Sequence, residues 1–445
     1  MIEKKWWVLF AVTIGISVVF IDISVIPVAV PTIREEFQLT GIMGDWVINA
    51  YTLALTILLI PGARMVEMLG GRRALLWGMA IFGVASGLGG FSQSGEWLIT
   101  SRAILGMGGA LMLPAAQYIL LMTFPMQERG RALASYFSIG SIFFVCGPLI
   151  GGVLTEYWTW RGLFWINFPI VIVGMSAILQ IIPLYPGKKK ISFDVIGFVW
   201  VSSAVFCITL GIMQGDRWGW TSWPILFLLS IAAVLFSLAY FILKRIPIPI
   251  VDLSLLKTRH FLIGMLCTIL GQMLFISPLF WSMYFQTDLF YHPAEAGFLT
   301  FIANSALIIG GPLIGIMLKR YGARVPVIMG FLLLLFCISW MLAYTTNRDV
   351  YLFLPALIPF GFGVRLILAP SFTQWILSVP LEKCASVSGI NASCRQFAST
   401  LGLAMYGTIF FSSQNHFTAI NSLSFGLACC GLFIAFFFPQ KKNQE

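Results

Sequence analysis

Phe20-Ile21-Asp22-Ile23-Ser24-Val25-Ile26-Pro27-Val28-Ala29-Val30-Pro31 closes the first long apolar run of this chain, which begins at Trp6. A run of that length crosses a bilayer as a helix, since about 20 residues at 1.5 Å each span the hydrocarbon. Asp22 stands well inside it, the only one of the 17 acidic residues so placed. A carboxylate in hydrocarbon costs about 3 kcal/mol or more unless it is paired or neutralised, so it reads first as a functional residue. The competing reading is an aspartate at a helix end, tied to backbone or to a neighbour.

The rest of the chain shares this character. Its 445 residues are 59% hydrophobic and only 10% charged, where soluble domains carry about 25% charge. This is the composition of an all-α polytopic membrane protein. Its 42 glycines suit helices that approach one another closely in lipid. The net charge of +10 is explained below by membrane sidedness rather than by nucleic-acid binding. The eight cysteines show no metal-type spacing and read as small apolar packing residues. Lys4 and Lys5 precede an apolar run too long for a signal peptide and lacking a small-residue cleavage site, so it reads as a retained helix.

Fourteen stretches are long and apolar enough to span: 6–28, 43–62, 74–91, 97–122, 133–155, 164–185, 196–214, 222–243, 260–284, 294–318, 324–344, 350–376, 386–412 and 418–438. Turn signals separate them, among them Gly70-Gly71-Arg72-Arg73, Pro186-Gly187, Pro247, Pro249 and Tyr321-Gly322. With the N-terminus in the cytoplasm and sides alternating, 20 of the 27 Lys and Arg fall inside. Arg34, Arg161, Arg217 and Arg348 fall outside, and Arg102, Arg365 and Arg395 fall within spans. The positive-inside rule therefore supports fourteen spans with both termini cytoplasmic.

The chain also repeats. Ala63-Arg64-Met65-Val66-Glu67-Met68-Leu69-Gly70-Gly71-Arg72 and Gly315-Ile316-Met317-Leu318-Lys319-Arg320-Tyr321-Gly322-Ala323-Arg324 share a small residue, a Met, a charge, a Gly and an Arg at the same offsets. Leu113-Pro114 pairs with Ala369-Pro370, and Pro125 with Pro380. The expected organisation is an N-terminal six-helix bundle (1–185), two inserted helices with basic cytoplasmic linkers (186–258), and a C-terminal six-helix bundle (259–445). Two repeated bundles with a site near the midplane form a common transporter plan. No phosphate-binding GxxxxGK[ST] loop is present, which argues against direct use of ATP. No Ser/His/Asp or Cys/His constellation argues for an enzyme.

Several motifs, in order on the expected spans, carry a family resemblance. Asp22-Ile23-Ser24 leads to Ala29-Val30-Pro31, and Trp46 and Tyr51 follow on the second span. Arg102-Ala103-Ile104-Leu105-Gly106-Met107-Gly108-Gly109 lies on the fourth span and Gly147-Pro148-Leu149-Ile150-Gly151-Gly152 on the fifth. Trp158-Thr159-Trp160-Arg161-Gly162-Leu163-Phe164-Trp165-Ile166-Asn167-Phe168-Pro169 forms the next connection, and Gly389, Asn391, Arg395, Gln396 and Gly402 lie on the thirteenth span. Together they resemble the major facilitator superfamily, and within it the fourteen-span drug:proton antiporters of the EmrB/QacA type. The chain departs from that pattern at Glu67, where the family has Asp, and at Met68, Lys319, Pro27, Ile139 and Phe143.

Helix rise puts Asp22 about 22 Å above an inner interface marked by Trp7, and Arg102 about 7–8 Å below an outer one at Trp97. Both fall in the outer third of a core about 30 Å thick. An aspartate there, exposed in turn to each side and balanced by an arginine, is what a proton-driven exporter needs. Asp22 is therefore expected to carry the proton, with Arg102 tuning it; the rival is a static ion pair. The resemblance assigns Gly147, Pro148, Gly151 and Gly152 to the antiporter bend, beside ordinary tight packing. It assigns Glu67, Gly70, Arg72 and Arg73 to a cytoplasmic latch, beside a topogenic charge cluster.

Asn49, Gln117, Tyr118, Gln272, Trp281, Asn304 and Gln374 are candidates for a substrate cavity or for helix–helix contacts. Arg365 and Arg395 are expected in the inner half. They would meet carbonyls and water, or an anionic substrate group, and Arg365 has the further option of reaching the interface. The expected function is proton-coupled export of small amphipathic compounds, driven by the proton gradient without another cofactor. The expected setting is an inner or plasma membrane, the partners being the bilayer and, by analogy, a periplasmic adaptor protein. Cargo is expected to be neutral, zwitterionic or acidic. The alternatives are a dedicated metabolite or siderophore exporter and a non-transporting sensor.

Overall fold

Backbone amides find no water in hydrocarbon, so apolar runs of this length must satisfy their hydrogen bonds within themselves, as helices. The computed structural model describes residues 4–39, 42–125, 128–184, 195–245, 258–345, 350–377 and 384–438. Among these there are fourteen long helices and two short helical turns, Gly162–Trp165 and Val350–Leu352. The basic linkers around 186–194 and 246–257, with Pro247 and Pro249, lie outside the described residues. Tryptophan and other large apolar side chains face outward, as at Trp77, Val173, Trp223 and Phe433, because the surrounding solvent is lipid. By contact the chain forms two compact units, Met1–Phe206 with Phe285–Phe298, and Cys207–Tyr284 with Leu299–Glu445. These are drawn by packing, and the three-part division at 185 and 258 by sequence repeat.

The first unit contains α1 (Lys4–Glu36), α2 (Ile42–Leu69), α3 (Gly71–Gly90), α4 (Gly95–Thr123), α5 (Arg129–Tyr157), the four-residue α6 (Gly162–Trp165), α7 (Asn167–Ile181) and the start of α8 (Val195–Trp218). In it α4 packs along α2 and α3, while α1 packs along α5 and α7. Small residues set these distances. A Cβ on Gly106 of α4 would strike the Tyr51 carbonyl of α2, and one on Gly174 of α7 would come within 3.0 Å of the Gly15 Cα of α1.

The helix ends around the α1–α2 turn are tied by polar contacts. Arg34 reaches Asp45 at 3.0 Å across the α1–α2 turn. The Trp160 indole donates to Glu36 at 2.5 Å, and Arg161 pairs with Glu36 at 2.7 Å and donates to the Ser92 carbonyl at 3.1 Å. Asn167 donates to Ser86 at 3.0 Å, and Ser86 to the Phe164 carbonyl at 2.7 Å. The Trp158–Pro169 connection is thus fixed on α1 and α3.

The second unit contains α9 (Trp223–Arg245), most of α10 (Arg259–Thr287) and of α11 (Pro293–Tyr321), α12 (Arg324–Ala343), α13 (Leu354–Leu377), α14 (Cys384–Ser412) and α15 (His416–Ala435). Here α12 packs against α13 and α15. The Tyr406 and Ser424 hydroxyls, 2.8 Å apart, join α14 to α15.

The repeat has a backbone counterpart. Gly70 and Gly322, matched in the two copies of the loop, both have a positive φ, 85° and 70°. An L-side chain is strained there, so each copy needs glycine at its turn between antiparallel helices.

Candidate functional site

α1 and α4 bring Asp22 and Arg102 together in the interior of the first unit. Arg102 Nη1 lies 2.5 Å from Asp22 Oδ2, and each side chain is only 1% exposed. The arginine is held twice more, both times by α2. Its Nε donates to the Val47 carbonyl at 2.9 Å, and its guanidinium carbon sits 4.6 Å from the centre of the Tyr51 ring. Val47 and Tyr51 are four residues apart, so carbonyl and ring present themselves on one face of α2. The cation is positioned by the α2–α4 pair, and the carboxylate is supplied from α1.

The same turn of α1 faces the glycine motif of α5. A Cβ on Gly147 would strike Ser24 Oγ, and one on Gly151 would lie 2.8 Å from Val25 Cγ2 and 2.9 Å from the Val25 carbonyl. Ser24 directs its hydroxyl back to its own helix, 3.1 Å from the Ile21 carbonyl. Pro148 lies inside α5 and removes one ladder hydrogen bond. The opposite face of the motif meets residues 293–297, at the start of α11. Cβ atoms on Gly152 and Gly297 would strike the Pro293 and Pro148 carbonyls respectively. The Ala294 amide donates to Glu156 at 2.9 Å, and Gln286 Nε2 donates to the Val28 carbonyl at 3.0 Å. The motif is therefore a two-sided contact, with α1 on one face and the start of α11 on the other.

Beside the α2–α3 turn, Arg72 donates to the Leu179 carbonyl at 2.8 Å, in the last turn of α7. A cation there meets carbonyls that the helix leaves unpaired. Arg73 is exposed and Gly70 forms the turn. The Glu67 side chain lies outside the described residues.

The cavity candidates divide between the two units. Asn49 and Gln117 are buried on α2 and α4. Tyr118 lies against Gly71, its Cδ1 2.8 Å from where a Cβ would stand, and so makes an α3–α4 contact. In the second unit Gln272 of α10 donates to Ser399 at 3.0 Å and accepts from Arg395 Nε at 2.9 Å, which links α10 to α14. Asn304 donates to the Thr300 carbonyl of its own helix at 3.0 Å. Trp281 is buried against Phe360, ring centres 4.8 Å apart, and its indole N–H has no partner among the described residues. Arg365 is half-buried on α13, and the Gln374 side chain lies outside the described residues.

Sequence reasoning gave Arg161 and Arg34 only a side of the membrane and did not connect them to Glu36 and Asp45. The partners of Arg161 lie 125 and 69 residues away, and no local spacing signals them. Glu36 lies beyond the apolar stretch 6–28. The hydrogen bond from Arg161, helped by that from Trp160, holds its carboxyl below the usual range against a smaller opposing effect of burial.

Comparison with known proteins agrees with this architecture. The family model described as Major Facilitator Superfamily matches residues 12–403. The multidrug resistance protein Stp of Mycobacterium tuberculosis is 28% identical over 404 residues, 90% of this chain and 75% of its own length. The tetracenomycin C resistance and export protein of Streptomyces glaucescens is 27% identical over 92% of this chain and 76% of its own. The methyl viologen resistance protein SmvA of Salmonella typhimurium is 28% identical over 95% of this chain and 86% of its own.

Proposed function

We propose a function from one premise: this chain belongs to the major facilitator superfamily, among its drug:proton antiporters of the EmrB/QacA type. The function is multidrug-type efflux, the export of small amphipathic compounds in exchange for protons by alternating access. The protein sits in an inner or plasma membrane with both termini in the cytoplasm. The proton gradient is its only energy source, and it performs no covalent chemistry. Hand-over of cargo to a periplasmic adaptor remains part of the proposal by analogy alone.

One observation carries the proton half of this reading: a carboxylate and a guanidinium at 2.5 Å, each 1% exposed, inside a membrane bundle. A buried pair is weak evidence of stabilisation, because desolvation offsets the attraction. Its retention is better explained by a role in which the carboxylate changes charge. Asp22 carries the proton, and Arg102 sets how readily it is taken up and released. The Gly147–Gly152 segment lets α5 shift against α1 and the start of α11 without large side chains in the way. Arg72 and the Gly70 turn hold α3 against α7 at the cytoplasmic end.

A dedicated exporter of one metabolite or siderophore is the second reading, favoured by the single compound in the name of the Streptomyces relative. Acidic or neutral cargo is favoured by the half-buried Arg365 and Arg395. The name of the Salmonella relative points instead to a dication. Efflux from proteoliposomes under an imposed pH gradient tests these readings, using cationic, neutral and anionic lipophiles. Gradient-driven flux that disappears in Asp22→Asn while cargo binding survives is the expected result. Normal flux in Asp22→Asn refutes the proton assignment, transport of one compound alone favours the dedicated exporter, and binding without flux in the wild type favours a sensor.

A further inference from the structure

The aromatic ring of Tyr51 is unexplained by the ion pair itself. Tyr51 is wholly buried, and its hydroxyl has no hydrogen-bond partner among the described residues. An unpaired buried hydroxyl is unfavourable, so the hydroxyl does not account for the residue. The ring does make a specific contact, with its face turned to the Arg102 guanidinium at 4.6 Å. That placement is built by the neighbouring helix. Gly106 lies directly against the Tyr51 carbonyl, and a Cβ on Gly109 would stand 3.3 Å from the Tyr51 hydroxyl. Arg102, Gly106 and Gly109 lie on successive turns of α4, so the glycines that admit the ring follow the cation it meets.

We infer that Tyr51 is a positioning residue of the proton site, whose ring face holds the Arg102 charge in place when Asp22 becomes neutral. The inference rests on the reading of Asp22 as the proton carrier. While Asp22 is ionised, the guanidinium has a counter-charge. Once Asp22 is protonated, a full positive charge remains in the bundle, with the Val47 carbonyl and the Tyr51 ring as its described contacts. An aromatic face attracts a desolvated cation strongly, whereas its negative face disfavours a nearby carboxylate. Both effects favour proton uptake. Without the ring, a higher proton concentration is needed for the same occupancy.

Few other groups bear on Asp22. Arg102 faces it from α4 and Tyr51 from α2. α5 faces this part of α1 with Gly147 and Gly151, the half-buried Cys146 beside them, and Tyr136 lower down against Phe20. α7 meets α1 lower still, through Gly174 and Ile178 against Gly15. α6 touches α1 at its outer end, where Glu36 pairs with Arg161.

The test needs no knowledge of the cargo. Difference infrared spectroscopy of the purified full-length protein follows the band of a neutral buried carboxylic acid through a pH titration. The Asp22 component is identified by its loss in Asp22→Asn. Tyr51→Phe, which keeps the ring and drops the unpaired hydroxyl, is expected to titrate with the wild-type midpoint. Tyr51→Leu is expected to move the midpoint down by about one pH unit. A series of increasingly fluorinated phenylalanines at position 51 keeps the shape while weakening the ring face. It is expected to shift the midpoint down in steps, and it decides the matter if Tyr51→Leu does not fold. A flat fluorinated series, an unshifted Tyr51→Leu, or a Tyr51→Phe shift as large as that of Tyr51→Leu overturns the inference while leaving Asp22 as proton carrier. Absence of any band lost in Asp22→Asn removes the underlying reading as well.

Discussion

Asp22 and Arg102 offer a perturbation with an asymmetric outcome. Arg102→Gln leaves the Asp22 carboxylate without its 2.5 Å partner at a position 1% exposed. Removing one member of a buried pair destabilises by about 3–5 kcal/mol, because a charge is left uncompensated. Asp22→Asn leaves the cation with two described contacts, the Val47 carbonyl at 2.9 Å and the Tyr51 ring at 4.6 Å. Those contacts retain about 2 kcal/mol, so the expected loss is about 1–3 kcal/mol. In the double variant neither charge remains, and the coupling should return about 2–3 kcal/mol relative to the sum of the singles. The assay is reversible unfolding in detergent micelles, followed by intrinsic tryptophan fluorescence, at a pH where the wild type is most stable. Additivity within about 0.5 kcal/mol would mean that the pair contributes nothing as a pair. A larger loss for Asp22→Asn than for Arg102→Gln would refute the claim that α2 holds the arginine.

Three smaller predictions follow from contacts elsewhere in the first unit. Gly106→Ala should destabilise by about 1–3 kcal/mol, because the new methyl meets the Tyr51 carbonyl; Gly87→Ala, with nothing within 4 Å, should be neutral or stabilising in the same unfolding assay. Glu36→Gln should weaken the corner that joins Glu36 to Trp160 and Arg161 at neutral pH but not in acid. The folded-state value of Glu36 is lowered, so its contribution is fully present above the ordinary Glu range and is lost as pH falls from that range through the lowered folded-state value. Proteolysis of the Trp158–Pro169 connection across pH reads this, and a wild type equally resistant at acid and neutral pH would contradict it. Arg72→Ala should expose the last turn of α7, seen as faster amide exchange around Leu179 with little change around Asp22.

The helix count was readable because hydrocarbon leaves the chain almost no choice: every expected span corresponds to one long helix, with ends differing by a few residues. The juxtaposition of Asp22 and Arg102 was readable for a similar reason, since helix rise converts sequence distance from an interface into depth. Depth does not give azimuth. That is why Tyr118, which lies against Gly71, stayed open between cavity and helix contact, and why Arg34 and Arg161 were given a side but no partner. Arg72 illustrates another limit. Its acceptor is a backbone carbonyl 107 residues away, and a carbonyl has no sequence signature. The contacts of Glu156 and Gln286, by contrast, required the start of α11 to lie beside α5 and the end of α10 beside α1, which no motif specified.

The Val47 contact has a consequence for how such a site is discovered. The acceptor is a peptide oxygen, and every residue at position 47 except one that distorts the helix supplies the same oxygen. A substitution scan at position 47 should therefore report only the packing of this fully buried side chain and stay silent about the hydrogen bond, although the arginine leans on it. This part of the hold on Arg102 is written in the chain's geometry rather than in its alphabet. Only a change in the shape of α2, such as proline one turn further along at position 51, could erase it.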